Sequence, residues 1–159
     1  WIAEITLRIP VASGSLPQSA ADGAWLSFNG ITDFAAIAQQ TANGLATSDL
    51  ASLGGQLALS QEGTLSLSAA TSPTGLQAAA LRDALLSIRG KKRIWPIGSL
   101  SAAQTCQVTG FVAGQVVNCT LDGNALTIVI QACSIQTCTG LLRSGTARNP
   151  WIGKLILNE

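Results

Sequence analysis

The chain has 159 residues, 47% hydrophobic and only 11% charged, with a formal net charge of +1 and no histidine. That length fits one domain with a real core, and the charge share lies far below the usual ~25%. Near-neutral balance excludes a general attraction to nucleic acid or anionic membrane. The missing histidines remove the commonest general base and the commonest metal ligand together.

Residues 1–11 (WIAEITLRIPV) alternate, with Ile5, Leu7, Ile9 and Val11 on one face and Glu4, Thr6 and Arg8 on the other. This predicts a half-buried strand. The chain opens on strand rather than on an apolar leader, and with Trp1 first and no Met anywhere a processed or trimmed start is expected. ASGSLPQSAADG then reads as loop and AWLSF as a short strand. In GITDFAAIAQQTANG the period changes: Thr32 or Asp33 stands as cap, Phe34, Ile37 and Ala38 form an apolar stripe, and Gly44 supplies a stop. A helix is expected there. QLALSQEGTLSLS is symmetric about QEG, Leu57 and Leu59 mirroring Leu65 and Leu67, which predicts a hairpin turning at Gly63.

TSPTG follows, with Ser72 as cap and Pro73 as the first helical residue. The helix it opens is expected to set Leu76, Ala80, Leu81, Ala84, Leu85 and Ile88 on one face and to end at Gly90. Five of the nine basic residues fall between Arg82 and Arg93, in the stretch LRDALLSIRGKKRIWPIG. Arg82 is on the polar face, where the adjacent Asp83 lacks the spacing for helical pairing. Arg89, Lys91, Lys92 and Arg93 gather at the helix end, where cations oppose the negative end of the helix dipole. Trp95 follows, stiffened by Pro96. Arg89, Lys91, Lys92, Arg93 and Trp95 are the candidate interface, because Trp and Arg are the residue types most enriched at binding hot spots. The alternative for Trp95 is a plug in the core. With a single aromatic and no supporting net charge, the patch is a poor nucleic-acid site.

Past Gly98 the signals are all β. TCQVTGFV and QVVNCTL flank AG as two strands, DGN joins the second to ALTIVIQ, and NPWIGKLILNE reads as a last strand. No stretch approaches the roughly 18–20 apolar residues of a membrane span. With no internal repeat, residues 1–159 read as a single structural domain. Its class is α+β and β-rich: a small antiparallel barrel or sandwich with one or two packed helices.

Cys106, Cys119, Cys133 and Cys138 make an even count. Two disulfides, Cys106 with Cys119 and Cys133 with Cys138, are one arrangement; free buried thiols are the other, and the core-like alternation around Cys119 fits them. Without a Cys-x-x-Cys knuckle or a histidine no metal site is expected, and no cofactor or nucleophile motif occurs. The eight acids are scattered, several where caps and turns want them. A glycosidase-like pair such as Asp22 and Asp33 is the one carboxylate arrangement weighed. The expectation is a protein without catalytic residues, cofactor or small-molecule substrate.

An amphipathic helix, a short IRG turn, a basic patch, an apolar segment with proline and an all-β second half follow in order. The pattern resembles structural proteins of bacteriophage tails, of the tail-tip and distal-tail type. The resemblance covers residues 76–130, and LLSIRGKKRIWPIG carries most of it. It implies a helix packed on a small sandwich or barrel whose sheets pair around a ring, with copies of itself and other virion proteins as partners. Localisation would be the virion, assembled in the host cytoplasm. The four cysteines are not part of that pattern. Two rivals stay open: an exported, extracellular pilus-like or fimbrial subunit held by disulfides, and a carbohydrate-binding β-sandwich using Trp25 or Trp151.

Overall fold

The structure is a computed structural model and describes residues 4–11, 23–30, 33–70, 72–101, 104–137 and 152–154. In chain order its elements are β1 (Glu4–Pro10), β2 (Trp25–Ser27), α1 (Phe34–Asn43), a 3₁₀ helix (Thr47–Leu53), β3 (Leu65–Ala70) and α2 (Gly75–Ser87). β4 (Lys92–Leu100), β5 (Thr105–Leu121), β6 (Ala125–Ala132), β7 (Ile135–Thr137) and β8 (Ile152–Lys154) complete it.

β5 is the spine. Its residues 105–108 pair with β3 and its residues 114–121 with β6, both on one edge. β4 runs along the opposite edge from Cys106 to Gln115. The result is an open antiparallel sheet in the order β1-β6-β5-β3-β2, with β4 on the far side of β5. The fold is α+β and β-rich, as expected. The barrel alternative is corrected: among the described residues β1 and β2, the two ends of the path, do not pair with each other. β7 and β8 form a separate parallel pair.

The AG expected to separate two strands lies within β5, which runs through it unbroken. Gly114 is small because neighbours crowd it, not because the chain turns, and Ala113 is fully buried. A Cβ added at Gly114 would approach Ile130 Cγ2 to 2.6 Å. The strand bends instead where its register shifts, at Ile97/Gly98 against β4 and at Val116/Asn118 against β6. Such bulges increase local twist.

Asp33 caps α1, its carboxylate accepting from the N–H groups of Ala35 (3.2 Å) and Ala36 (3.3 Å), and Gly44 ends the helix at φ 89°. Thr32, the other cap considered, lies outside the described residues. For α2 the cap is Thr74 rather than Ser72: Gln77 Oε1 accepts from the Thr74 N–H at 2.8 Å, half of a capping box. Pro73 therefore precedes the helix. Its buried stripe is Ala78, Leu81, Leu85 and Ile88, with Ala84 beside it. Leu76, expected on that face, is 88% exposed, because at 100° per residue it sits roughly 180° around the helix from Leu85.

The hairpin expected over 56–68 is reduced to its turn, closed by Ser60 N–H to Thr64 O at 2.7 Å. Leu57 and Leu59 form no strand. They pack with Leu65, Leu67, Phe28 and Val108 in a second apolar cluster, and β3 takes β2 and β5 as partners instead. The main core lies where both helices meet the sheet, with Ile37, Leu81, Leu85 and Ile88 against Ile9, Val116, Leu126 and Ile128.

Candidate interface

α2 gives way to Gly90 at φ 75°, whose N–H donates to Val116 O at 3.0 Å. This reversal divides the basic cluster. Arg89 and Lys91 are exposed in the turn, whereas Lys92 and Arg93 already belong to β4. Lys92 Nζ donates to Ser134 O at 3.1 Å and an Arg93 terminal nitrogen to Lys92 O at 3.3 Å. The Arg93 Nε is buried and finds no partner among the described residues. Arg82, read as unpaired in its helix, pairs with adjacent Asp83 at 2.7 Å; with both side chains well exposed the pair contributes little.

Trp95 does not stand out as an anchor. It is half-buried against the main core and its Nε1 donates to Gly114 O at 3.1 Å. Of the five candidate interface residues, Trp95 thus serves the fold, and Arg89 and Lys91 remain wholly outward.

The exposed apolar surface lies elsewhere on the same sheet. Among the described residues the exposed large hydrophobics are Ile5, Leu76, Leu86, Ile94, Ile97 and Leu100. Four of these six stand on β1 and β4, the outer strands of the run β1-β6-β5-β4. Each pairs on one side only among the described residues.

The two edges differ in what their backbones offer. Val11 N–H donates to Asn124 O at 3.0 Å, so Val11 and Asn124 form a hydrogen-bonded pair. Bonded and non-bonded pairs alternate in an antiparallel ladder. Ile9, Leu7 and Ile5 therefore bond β6, and Glu4, Thr6 and Arg8 turn their N–H and C=O groups outward. On β4, Ser101 N–H bonds Thr105 O at 2.9 Å, which by the same alternation turns Leu100 and Gly98 outward. Pro96, having no N–H, sits among the outward positions with Lys92 and Ile94. A proline, a lysine and a bulge on one edge are devices that discourage strand addition. β1 has Pro10 at its end and the charged Glu4 and Arg8, but no bulge against β6.

Cys106, Cys119 and Cys133 are free thiols. The pairing of Cys106 with Cys119 is corrected: both lie on β5, separated by roughly 40 Å of extended chain at ~3.3 Å per residue, against a disulfide reach of ~7 Å. Cys138, the partner expected for Cys133, lies outside the described residues. Burial pushes the Cys119 thiol up to about 11 and raises that of Cys106.

Three carboxylates hold backbone. Asp33 caps α1, Asp49 accepts from Ala46 N–H at 2.7 Å, and Asp122 accepts from Asn124 and Ala125 N–H at 2.9 and 2.7 Å. Asp22, the possible partner of Asp33, lies outside the described residues. A shallow depression of about 330 Å³ beside α1 is lined by Gln39, Gln40, Asn43 and Asp49, and it gathers amides around a carboxylate already engaged. Trp25 is 7% exposed, too buried to stack on a sugar ring, and Trp151 lies outside the described residues. Among the described residues no three metal-ligating side chains gather, and no helix is long and apolar enough to cross a membrane.

No protein-family model, no curated protein and no solved structure matches this chain.

Proposed function

We propose that this protein is a non-enzymatic structural subunit that assembles with copies of itself through the open edges of its sheet. The observation that carries the reading is the placement of Ile5, Ile94, Ile97 and Leu100 on β1 and β4, two of the outer strands of one sheet. Exposed edges bearing apolar side chains are templates for pairing with another chain. A surface with little charge opposes that pairing weakly.

The assembly we assign it to is a bacteriophage tail or baseplate, with other virion proteins as further partners. The order of elements from α2 through β4 supports this, as does the charge-poor composition. Free thiols at Cys106 and Cys119 suit assembly in a reducing cytoplasm and remove one support of the disulfide-held pilus reading. Arg89 and Lys91, outward in the turn before β4, form a second contact that links such units.

Electron microscopy of the purified protein, with and without reductant, tests the proposal. Rings, tubes or tails indifferent to reductant are the expected result. Filaments that loosen on reduction favour the exported subunit, and a monomer at every concentration sinks both. Replacing Arg89, Lys91, Lys92 and Arg93 together by Gln should impair assembly more than folding. Unchanged assembly with a lower melting temperature would reduce the cluster to a helix-end role.

A further inference from the structure

We infer that Arg89 of one copy seats in the depression at the C-terminal end of α1 of the next copy, on the carboxylate of Asp49. This rests on the self-assembly reading above and names the surface that receives its second contact.

Charge is unevenly spread along the chain. Between Ile9 and Leu81 it carries Asp22, Asp33, Asp49 and Glu62 and no Lys or Arg, whereas five cations and one acid fall from Arg82 to Arg93. The fold keeps Asp49 and the basic turn apart. The 3₁₀ helix that holds Asp49 sends Leu50 and Leu53 to the second apolar cluster, around Val108. The basic turn is tied further along β5, where Gly90 N–H donates to Val116 O at 3.0 Å. Val108 and Val116 are roughly 25 Å apart along an extended strand. Among the described residues neither Arg89 nor Lys91 forms an ion pair.

The depression suits a cation. Asn43 and Gly44 on its wall mark the end of α1, where the carbonyls beyond Gln40 lack helical partners and carry the negative end of the helix dipole. No basic residue stands in that last turn to offset it. Asp49 gives one oxygen, Oδ2, to Ala46 N–H at 2.7 Å, and its other oxygen has no partner among the described residues. The side-chain amides of Gln39 and Asn43 are exposed and unengaged beside it. An arginine fork reaches the free carboxylate oxygen and an amide oxygen together, whereas a lysine is a point charge. Arg89 is exposed in its turn, and the exposed Lys91 close by adds attraction to the same surface. Each copy carries one such turn and one such depression, so the contact repeats from copy to copy, as a ring or a filament requires.

Charge exchange tests the contact. Light scattering at low salt reads the protein concentration at half-assembly, and circular dichroism checks that each variant folds. Arg89→Glu sets two carboxylates face to face and should raise that concentration roughly tenfold. Asp49→Asn should raise it by a smaller factor. Asparagine keeps an oxygen for Ala46 N–H, so that loss reports the charge rather than the fold. An equimolar mixture of Arg89→Glu and Asp49→Lys chains should assemble where neither does alone. The two kinds of chain then alternate, with the native pair at one junction and the exchanged pair at the next. Either Arg89→Glu or Asp49→Asn assembling like wild type, or a mixture no better than its parts, overturns the α1 site and leaves self-assembly standing. A wild-type chain that stays monomeric at every concentration overturns both.

Discussion

The indole of Trp95 on β4 donates to the carbonyl of Gly114 on β5, 3.1 Å away, across a crowded point of the sheet. A Cβ on Gly114 would stand 2.6 Å from Ile130 Cγ2, 3.2 Å from Gln131 O and 3.5 Å from Trp95 Cδ1. Gly114→Ala should therefore force Ile130 or the strand to move and destabilise by about 1–3 kcal/mol. Denaturant unfolding measures it; a loss below about 0.5 kcal/mol would mean that the crowding at this point is relieved cheaply.

Two leucines of α2 distinguish its faces. Leu85 is fully buried and Leu76 is 88% exposed. Leu85→Ala should cost about 2–5 kcal/mol, and Leu76→Ala should stay within about 0.5 kcal/mol of wild type. Equal costs in thermal melts would place the helix in a different rotation.

The β5–β6 turn should weaken in acid. The N–H groups of Asn124 and Ala125 hold Asp122 below its usual carboxylate range. A carboxyl whose folded pKa is depressed contributes stability that is full above its unfolded pKa, near 4. That contribution fades as pH falls through the lower folded value. Melting temperatures of wild type and Asp122→Ala should differ at pH 7 and converge as pH drops below about 4. A gap independent of pH would show that the carboxylate's charge plays no part.

Burial holds the Cys119 thiol up to about 11, so almost no thiolate exists at neutral pH. An alkylating reagent at pH 7 should leave Cys119 unmodified in the folded protein and modify it fully once denaturant is added. Mass spectrometry of the peptide containing Cys119 reads the result. Rapid labelling under native conditions would mean that β5 opens locally.

Where the sequence carried a local signal, the fold followed it. Asp33 and Gly44 bracket α1, the alternation of Ile5, Leu7 and Ile9 becomes β1, and Asp122-Gly123-Asn124 turns the chain between β5 and β6. Errors came where one local pattern has two physical causes. Ala113-Gly114 has the composition of a turn, yet Gly114 answers to Trp95 and Ile130 on neighbouring strands and Ala113 is fully buried. Leu57 and Leu59 alternate like a strand, but that pattern records only a shared apolar side. The candidate interface divided for the same reason. Lys92 and Arg93 follow a helix in sequence, and Gly90 places them on a strand.

The sequence by itself determined the class of the protein: an α+β, β-rich fold, poor in charge and without histidine. Those properties follow from composition and short-range periodicity, which survive without knowledge of neighbours. Only the tertiary structure decided which strands are edges. That choice depends on β5 pairing with β4 along one side and with β3 and β6 along the other, over separations that no local pattern records. It packed Trp95 against the core and left β1, with Glu4, Thr6 and Arg8 outward, as one of the sheet's outer strands.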